Sequence, residues 1–208
     1  MPADVRSDLQ GEVPGGMSVS GAIPLLDDAP PPEVEWIASA IVRDAASSDR
    51  PVVLIDGRSG SGKTILGALL ADALEAQLVR LDDIYPGWGG LAAASRMVVD
   101  DVLLRSAWTR WDWQTSEPAE RHTVDRSAPL IVEGCGAISR GSMPFATTAI
   151  WVELDAATRR RRALARDGET YRPYWELWAA QEEEHLALET PERRAALVLS
   201  GTDFSRIR

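Results

Sequence analysis

The chain has 208 residues, 45% of them apolar and no run of about 18 apolar residues, which is typical of one globular domain without a membrane span. Its 22 basic and 32 acidic side chains give a net charge of −10, which argues against non-specific binding to nucleic acid. The single cysteine, Cys135, excludes an internal disulfide, favours a cytoplasmic protein, and is expected to pack in the core.

The first predicted elements lead to a short apolar strand. Residues 1–32 are rich in Pro, Gly, Asp and small residues, and we expect a poorly ordered leader before a single domain over 33–208. Residues 33–47 show helical periodicity. The apolar, β-branched run at 51–55 predicts a buried parallel strand, and residues 65–74 predict a helix.

Between that strand and that helix lies a glycine-rich loop of the form G-x-x-x-x-G-K-[ST]. Its glycines let the backbone curl so that successive amides point at phosphate oxygens. We expect Lys63 to reach the β- and γ-phosphates and the Thr64 hydroxyl to hold Mg²⁺. The loop therefore predicts binding of a nucleoside triphosphate, expected to be ATP, through Gly57, Ser59, Gly60, Ser61, Gly62, Lys63 and Thr64.

The remaining elements alternate between strands and helices. Strands are predicted at 77–81, 129–134, 149–154 and 195–199, and helices at 91–108, 156–166 and 173–188. This alternation predicts an α/β fold of the P-loop NTPase type, a three-layer sandwich in which helices cover both faces of a five-stranded, mainly parallel sheet. Residues 200–203, after the last strand, are a candidate loop beside the adenine.

Acidic residues stand at the carboxyl ends of two predicted strands, where ligands collect in open α/β sheets. Asp82 and Asp83 follow the second strand, and Glu133 ends the third. Phosphoryl transfer needs a base for the attacking hydroxyl and oxygen ligands for Mg²⁺. We expect Asp82 as the base, with Asp83 as the alternative, and Thr64, Glu133 and Asp82 as the candidate metal ligands. Helix capping or solvation is the simpler explanation for each carboxylate.

An arginine cluster stands out against the acidic background. Arg159, Arg162 and Arg166 are spaced i, i+3 and i+7 and share one helical face. Guanidinium groups match phosphate oxygens, so we expect a lid that closes over the triphosphate, with Arg162 and Arg166 assisting catalysis. The alternative is a solvated face, or pairing with the acidic run at 182–184.

A tryptophan-rich segment covers residues 108–114. Aromatic planes flanking polar groups can sandwich a flat ligand, with Asp112 as the favoured polar contact. Core filling is an equally good explanation for such tryptophans.

Taken in order, these motifs resemble the uridine kinase branch of the P-loop small-molecule kinases, relatives of phosphoribulokinase and pantothenate kinase, over residues 51–204. The Asp-Asp-Ile-Tyr segment at 82–85 is similar to the family's Asp-Ser-Phe-Tyr. The resemblance implies that Asp82 is the base, that Tyr85 lies on the substrate side, and that Glu133 acts near Mg²⁺. It also implies that Arg159, Arg162 and Arg166 belong to the lid, with Arg166 near the substrate.

The resemblance implies ATP- and Mg²⁺-dependent phosphoryl transfer to a small-molecule alcohol. The family's pyrimidine-contacting Tyr-Asp-Phe segment appears here as Trp111-Asp112-Trp113, so the acceptor stays open among a nucleoside, a nucleotide, a sugar and a pantothenate-like alcohol. A second hypothesis is a nucleotide-binding NTPase or sensor without a small-molecule acceptor. Replacing Asp82 by Asn distinguishes the two, because only a kinase needs the base.

Overall fold

The computed structural model describes residues 32–44 and 50–201. The leader expected over residues 1–32 lies outside the described residues except for Pro32, which begins the first helix. The part of the proposed adenine loop beyond residue 201 lies outside them as well.

The described residues form seven strands. In chain order they are β1 (Val52–Asp56), β2 (Gln77–Arg80), β3 (Ala107–Asp112), β4 (Glu117–Thr123), β5 (Leu130–Glu133), β6 (Thr148–Glu153) and β7 (Leu197–Ser200). Five of them make a parallel sheet in the order β2-β5-β1-β6-β7, and β3 pairs with β4 in a separate antiparallel hairpin.

Helices connect these strands. They are α1 (Pro32–Asp44), α2 (Lys63–Ala73), α3 (Leu91–Met97), α4 (Ala156–Tyr171), α5 (Trp175–Glu189) and α6 (Pro191–Arg194). A π-helical segment, Val98–Arg105, continues α3, and short 3₁₀ turns lie at Leu81–Asp83, Met143–Phe145 and Arg172–Tyr174. None of the helices in the described part of the chain has the length and apolar character needed to span a bilayer.

The core occupies both faces of the parallel sheet. On β1, Val53 and Ile55 pack in the cluster that includes residues of α1 and α2, whereas Val52 and Leu54 pack in the cluster that includes residues of α3 and α5. Because successive strand side chains point to opposite faces, a strand covered on both sides must be apolar throughout. The predicted α/β sandwich and its five-stranded sheet are therefore confirmed.

Two local features differ from the sequence expectations. The helix predicted over 91–108 ends at residue 105, and Ser106 follows with a left-handed backbone (φ 55°). The β3–β4 hairpin was not predicted, because β4 is largely exposed and lacks the apolar alternation that marks a half-buried strand. The tryptophan-rich segment thus belongs to a hairpin that stands apart from the main sheet.

Candidate active site

The glycine-rich loop connects β1 to α2 at the carboxyl edge of the sheet. Gly60 has φ +81°, and a side chain there would collide with the Arg159 carbonyl, so the loop needs glycine at this position. The amides of Lys63 and Thr64 open α2 and have no acceptor within their own helix. Together with the helix dipole, they form an arrangement suited to phosphate oxygens.

A buried aspartate at the end of β1 anchors the loop, and the sequence analysis missed it. Asp56 Oδ1 accepts a hydrogen bond of 2.7 Å from the Gly57 amide, and its carboxylate also accepts bonds from the Gly136 and Ile138 amides. Asp56 therefore ties the start of the loop to the segment after β5. A charged residue at the end of an apolar strand, directly before the loop, is the signal that could have identified it.

Lys63 lies among negative charges with only 8% of its surface exposed. Burial would lower the pKa of its ammonium group, but the charges of Glu133, Asp82 and Glu182 outweigh this effect and raise the pKa. Lys63 is therefore a cation at neutral pH, as phosphate binding requires. These neighbours come from separate elements, so the tertiary fold assembles the charge environment around the loop lysine.

Glu133, at the end of β5, has the features of an oxygen ligand that faces a cation. Its Oε2 lies 3.5 Å from the Thr64 Oγ1, while Oε1 is buried without a hydrogen-bond partner among the described residues. Burial and the charge of Asp82 raise the pKa of Glu133, Lys63 and Arg80 lower it, and the net result is a pKa of about 7. A buried carboxylate oxygen without a partner is costly unless a cation or donor completes it, so Glu133 and Thr64 fit a Mg²⁺ site.

The described residues contain no group of three or more His, Cys, Asp or Glu side chains gathered around one point. A protein cage for a metal is therefore not formed by these residues. Mg²⁺ in phosphoryl-transfer sites uses one or two protein oxygens together with substrate phosphates and water, which is the arrangement that Thr64 and Glu133 can offer.

Asp82 and Asp83 lie on the 3₁₀ turn that follows β2. The charge of Asp82 acts on Lys63 and Glu133, and also on Arg166. Asp83 interacts with Arg80 of β2 and with Arg110 and His122 of the hairpin, and partial burial together with the Asp82 charge raises the pKa of Asp83. These surroundings favour Asp82 over Asp83 as the carboxylate nearer the phosphates.

Tyr85 lies in the core. Its side chain is 1% exposed, its hydroxyl donates a 2.8 Å hydrogen bond to the Cys135 carbonyl, and its ring meets Trp178 edge-on. The hydroxyl is therefore occupied within the core. The hydroxyl thus links the segment after β2 to the segment after β5, and the substrate-side role that the resemblance implied stays a prediction. Cys135 is buried, and burial raises the pKa of its thiol.

The three arginines of the predicted lid face occupy different environments. Arg159 is 4% exposed, and its guanidinium donates to the Leu154 and Ser59 carbonyls. Arg162 is half-buried and donates to the Gly201 carbonyl at 3.0 Å. The sequence analysis expected a shared face open to the triphosphate, whereas Arg159 supports the loop from within the protein. Arg159 lies in the first turn of α4, where its backbone carbonyl packs against Gly60 of the loop.

Arg166 is the exposed member of the set. Its guanidinium forms two hydrogen bonds of 2.8 and 2.7 Å with the carboxylate of Asp167, and these bonds raise its pKa. The charge of Asp82 also acts on it. Two residues later, Gly168 interrupts α4 with non-helical backbone angles. Arg166 therefore lies close to a break in the helix, within electrostatic range of the candidate base.

The β3–β4 hairpin approaches the candidate base through Trp113. The indole Nε1 of Trp113 donates a 2.8 Å hydrogen bond to the Asp82 carbonyl. Asp112, the expected polar contact for the substrate, accepts hydrogen bonds from the Gln114 and Thr115 amides with its Oδ1. Asp112 thus stabilises the hairpin turn. The buried indole nitrogen of Trp111 has no hydrogen-bond partner among the described residues.

An aromatic cluster joins the hairpin, the segment after β2 and the end of α4. The Trp88 ring stacks on Tyr171 and Tyr174, with ring centroids 5.3 and 4.6 Å away, and lies 4.9 Å from the Trp113 ring. These rings come from three distant parts of the sequence. Their packing, which the sequence analysis did not anticipate, connects the arginine-bearing helix to the turn that carries Asp82.

Part of the chain is similar in sequence to a known protein, and its fold is similar to that of a solved structure. No family model matches the chain. Shikimate kinase 2 of Escherichia fergusonii is 35% identical over 89 residues, and the match covers 43% of this chain and 44% of that protein. The chain thus matches less than half the length of this curated relative.

Among solved structures, one described as a possible uridine kinase from Bacillus stearothermophilus superposes with a TM-score of 0.58 at 18% identity, covering 80% of this chain and 96% of that chain. A shikimate kinase from Bacteroides thetaiotaomicron gives a TM-score of 0.44 at 14% identity, covering 76% and 89% of the two chains. The first of these likenesses shows the fold. The chain has the α/β architecture of this possible uridine kinase, which agrees with the resemblance that its motifs carry.

Proposed function

We propose that the protein is a kinase that transfers the γ-phosphoryl group of ATP to a hydroxyl of a small molecule, with Mg²⁺ bound alongside the phosphates. One observation carries the proposal. Glu133 from β5 lies 3.5 Å from Thr64 of the phosphate-binding loop, and the charges of Glu133 and of Asp82, from the turn after β2, act on the adjacent Lys63. A nucleotide-binding loop needs the lysine alone, whereas phosphoryl transfer also needs a metal ligand and a base.

Each residue then has one task. The amides that open α2 and the Lys63 ammonium bind the β- and γ-phosphates. Thr64 and Glu133 would hold Mg²⁺, which neutralises phosphate charge in such reactions. Arg166 and the half-buried Arg162 are the cations available from α4 to stabilise the transferred group.

The proposed reaction balances without a further reactant. The acceptor oxygen forms a bond to the γ-phosphorus, and its hydroxyl proton passes to the Asp82 carboxylate. The bond between the γ-phosphorus and the oxygen that bridges to the β-phosphate breaks, and ADP leaves. Asp82 is exposed, and its carboxylate accepts no hydrogen bond from the described residues, so the group is accessible to an acceptor.

The experiment measures ADP release from MgATP with a panel of acceptors against a blank without acceptor. The panel contains uridine and shikimate, which the names of the relatives suggest, together with other nucleosides, nucleotides, sugars and pantothenate. ADP release that depends on one compound class supports the kinase and identifies its acceptor class. Equal ADP release with and without acceptors would instead indicate an NTPase, and ATP binding without turnover would indicate a sensor.

A further inference from the structure

A buried carboxylate on α5, the first of the acidic run at 182–184, contacts the phosphate-binding loop. Glu182 is 2% exposed. Its Oε1 accepts a 2.6 Å hydrogen bond from the Ser59 amide, and its Oε2 accepts a 2.9 Å bond from the Arg58 Nε. The Cys135 thiol lies 3.5 Å from the same Oε1. A glutamate more than one hundred residues away in the chain therefore binds the second and third residues of the loop.

Arg159 completes a closed set of contacts around Ser59. Its guanidinium lies 3.8 Å from the Glu182 carboxylate and donates a 3.3 Å hydrogen bond to the Ser59 carbonyl. Both polar groups of the Ser59 backbone are thus held, the amide by Glu182 and the carbonyl by Arg159. A buried ion pair that also satisfies buried backbone groups favours one conformation over its alternatives.

We propose that Glu182, together with Arg58 and Arg159, is a positioning clamp that holds the first half of the phosphate-binding loop in its nucleotide-binding conformation before nucleotide arrives. The Ser59 amide is then a structural donor, and the phosphates use the amides that follow it. Arg159 acts on the loop backbone and not on the triphosphate. This inference rests on the proposed function only in requiring that the loop binds nucleotide.

The clamp has a measurable consequence for affinity. Ordering one backbone residue on binding costs a factor of roughly 5 to 30 in affinity. A loop that is ordered in advance avoids that cost, which is the general benefit of preorganisation. Weakening the clamp therefore weakens nucleotide binding even in a protein that stays folded.

The chain provides a matched pair of variants. Glu182→Gln keeps the size of the side chain and an acceptor for the Ser59 amide, but it removes the charge that pairs with both arginines. Glu183→Gln removes a neighbouring carboxylate that also contacts Arg58 at 2.5 Å but is 65% exposed. Exposed ion pairs contribute little, so this variant controls for the loss of charge near the loop.

The experiment measures the Kd of MgADP, which avoids turnover, by calorimetric titration well below the Tm of each variant. We expect Glu182→Gln to weaken binding about 10-fold, within the range for one ordered residue, and Glu183→Gln to leave it nearly unchanged. A folded Glu182→Gln variant that binds like the native protein overturns the clamp, whatever its Tm, because a purely structural role lowers the Tm alone.

If Glu182→Gln does not fold, Arg58→Ala decides the question, since Arg58 is only half-buried and occupies a variable position of the motif. Weaker MgADP binding by folded Arg58→Ala supports the clamp, and unchanged binding overturns it. A different result would contradict the proposed kinase activity: native protein that binds nucleotide but phosphorylates no acceptor.

Discussion

The phosphate half and the acceptor half of the candidate site are held in place by different interactions. The phosphate half is one continuous loop. Its backbone amides donate hydrogen bonds to two buried carboxylates, Asp56 of β1 and Glu182 of α5. The acceptor half brings together a 3₁₀ turn, a hairpin and the end of α4, and its polar groups Asp82 and Arg166 are exposed. Buried, hydrogen-bonded groups resist rearrangement more than exposed ones do. The difference supports the proposal that the phosphate-binding part is preformed, and we expect acceptor choice to depend on the less constrained part.

The strongest way to break this comparison is to remove the proposed base, Asp82, from the acceptor half. We expect Asp82→Asn to reduce kcat by about 10²- to 10⁴-fold, the usual contribution of a general base, while MgATP affinity is retained. Steady-state turnover with the acceptor and MgATP titration measure the two effects. Asp83→Asn is the matched control on the same turn, and a larger loss of kcat in that variant would make Asp83 the base.

A second substitution tests the preformed half. Lys63→Met keeps most of the length of the side chain but removes the cation on which Glu133 and Asp82 act. We expect kcat to fall by about 10²- to 10³-fold, as on removing a preorganised charged donor, and MgATP binding to weaken as well. Turnover and titration are again the measurements. Arg160→Met, which removes an exposed cation from α4, is the control and should change neither kcat nor MgATP affinity. Normal turnover by Lys63→Met would exclude the loop as the phosphate site.

A smaller effect sharpens the boundary between the two halves. Tyr85→Phe removes the hydroxyl that donates to the Cys135 carbonyl, and we expect a loss of about 1 kcal/mol in the free energy of unfolding with an unchanged acceptor KM. Chemical denaturation and steady-state kinetics measure the two quantities. Tyr174→Phe, at an exposed position, is the control. A raised acceptor KM without loss of stability would support the substrate-side role that the family resemblance implied.

The smallest expected effect concerns the support beneath the loop. Burial opposes protonation of His185, but the carboxylate of Asp56, 3.6 Å from Nε2, and the hydrogen bond of Nε2 with the Ile138 carbonyl outweigh it and raise the pKa of His185 above 6.5. The protonated imidazole therefore favours the folded state. The contribution of protonated His185 to the free energy of unfolding is complete below pH 6.5, and it is lost as the pH rises through the folded-state pKa.

Thermal denaturation at a series of pH values from 6.5 upward tests this sign. The native protein should lose stability over that interval, and the His185→Gln variant should show a flatter profile. A native profile that rises with pH would contradict the raised pKa.

Some site residues could be predicted because their chemistry is local. The loop from Gly57 to Thr64 needs only consecutive residues, and an apolar strand before it and a helix after it supply the setting. Asp82 and Glu133 could be predicted nearly as well, because the carboxyl ends of parallel strands meet at one edge of the sheet. The position of a residue at a strand end does not, however, show which distant residues it contacts.

The hairpin shows why other parts could not be predicted. Its strands are half-buried or exposed, so no apolar alternation separates them from a loop, and the tryptophans alone suggested a ligand platform. In the structure Trp113 instead hydrogen-bonds the backbone of Asp82 and packs beside Trp88.

By itself, then, the sequence determined the α/β architecture, the nucleotide loop and the carboxylates at the strand ends, because residues close together in the chain carry those signals. Only the tertiary structure decided that Arg159 supports the loop from inside, that Tyr85 belongs to the core, and that Glu182 binds the Ser59 amide. The roles of long polar side chains depend on burial and on partners from distant elements, and neither can be read from the spacing of residues along one helix.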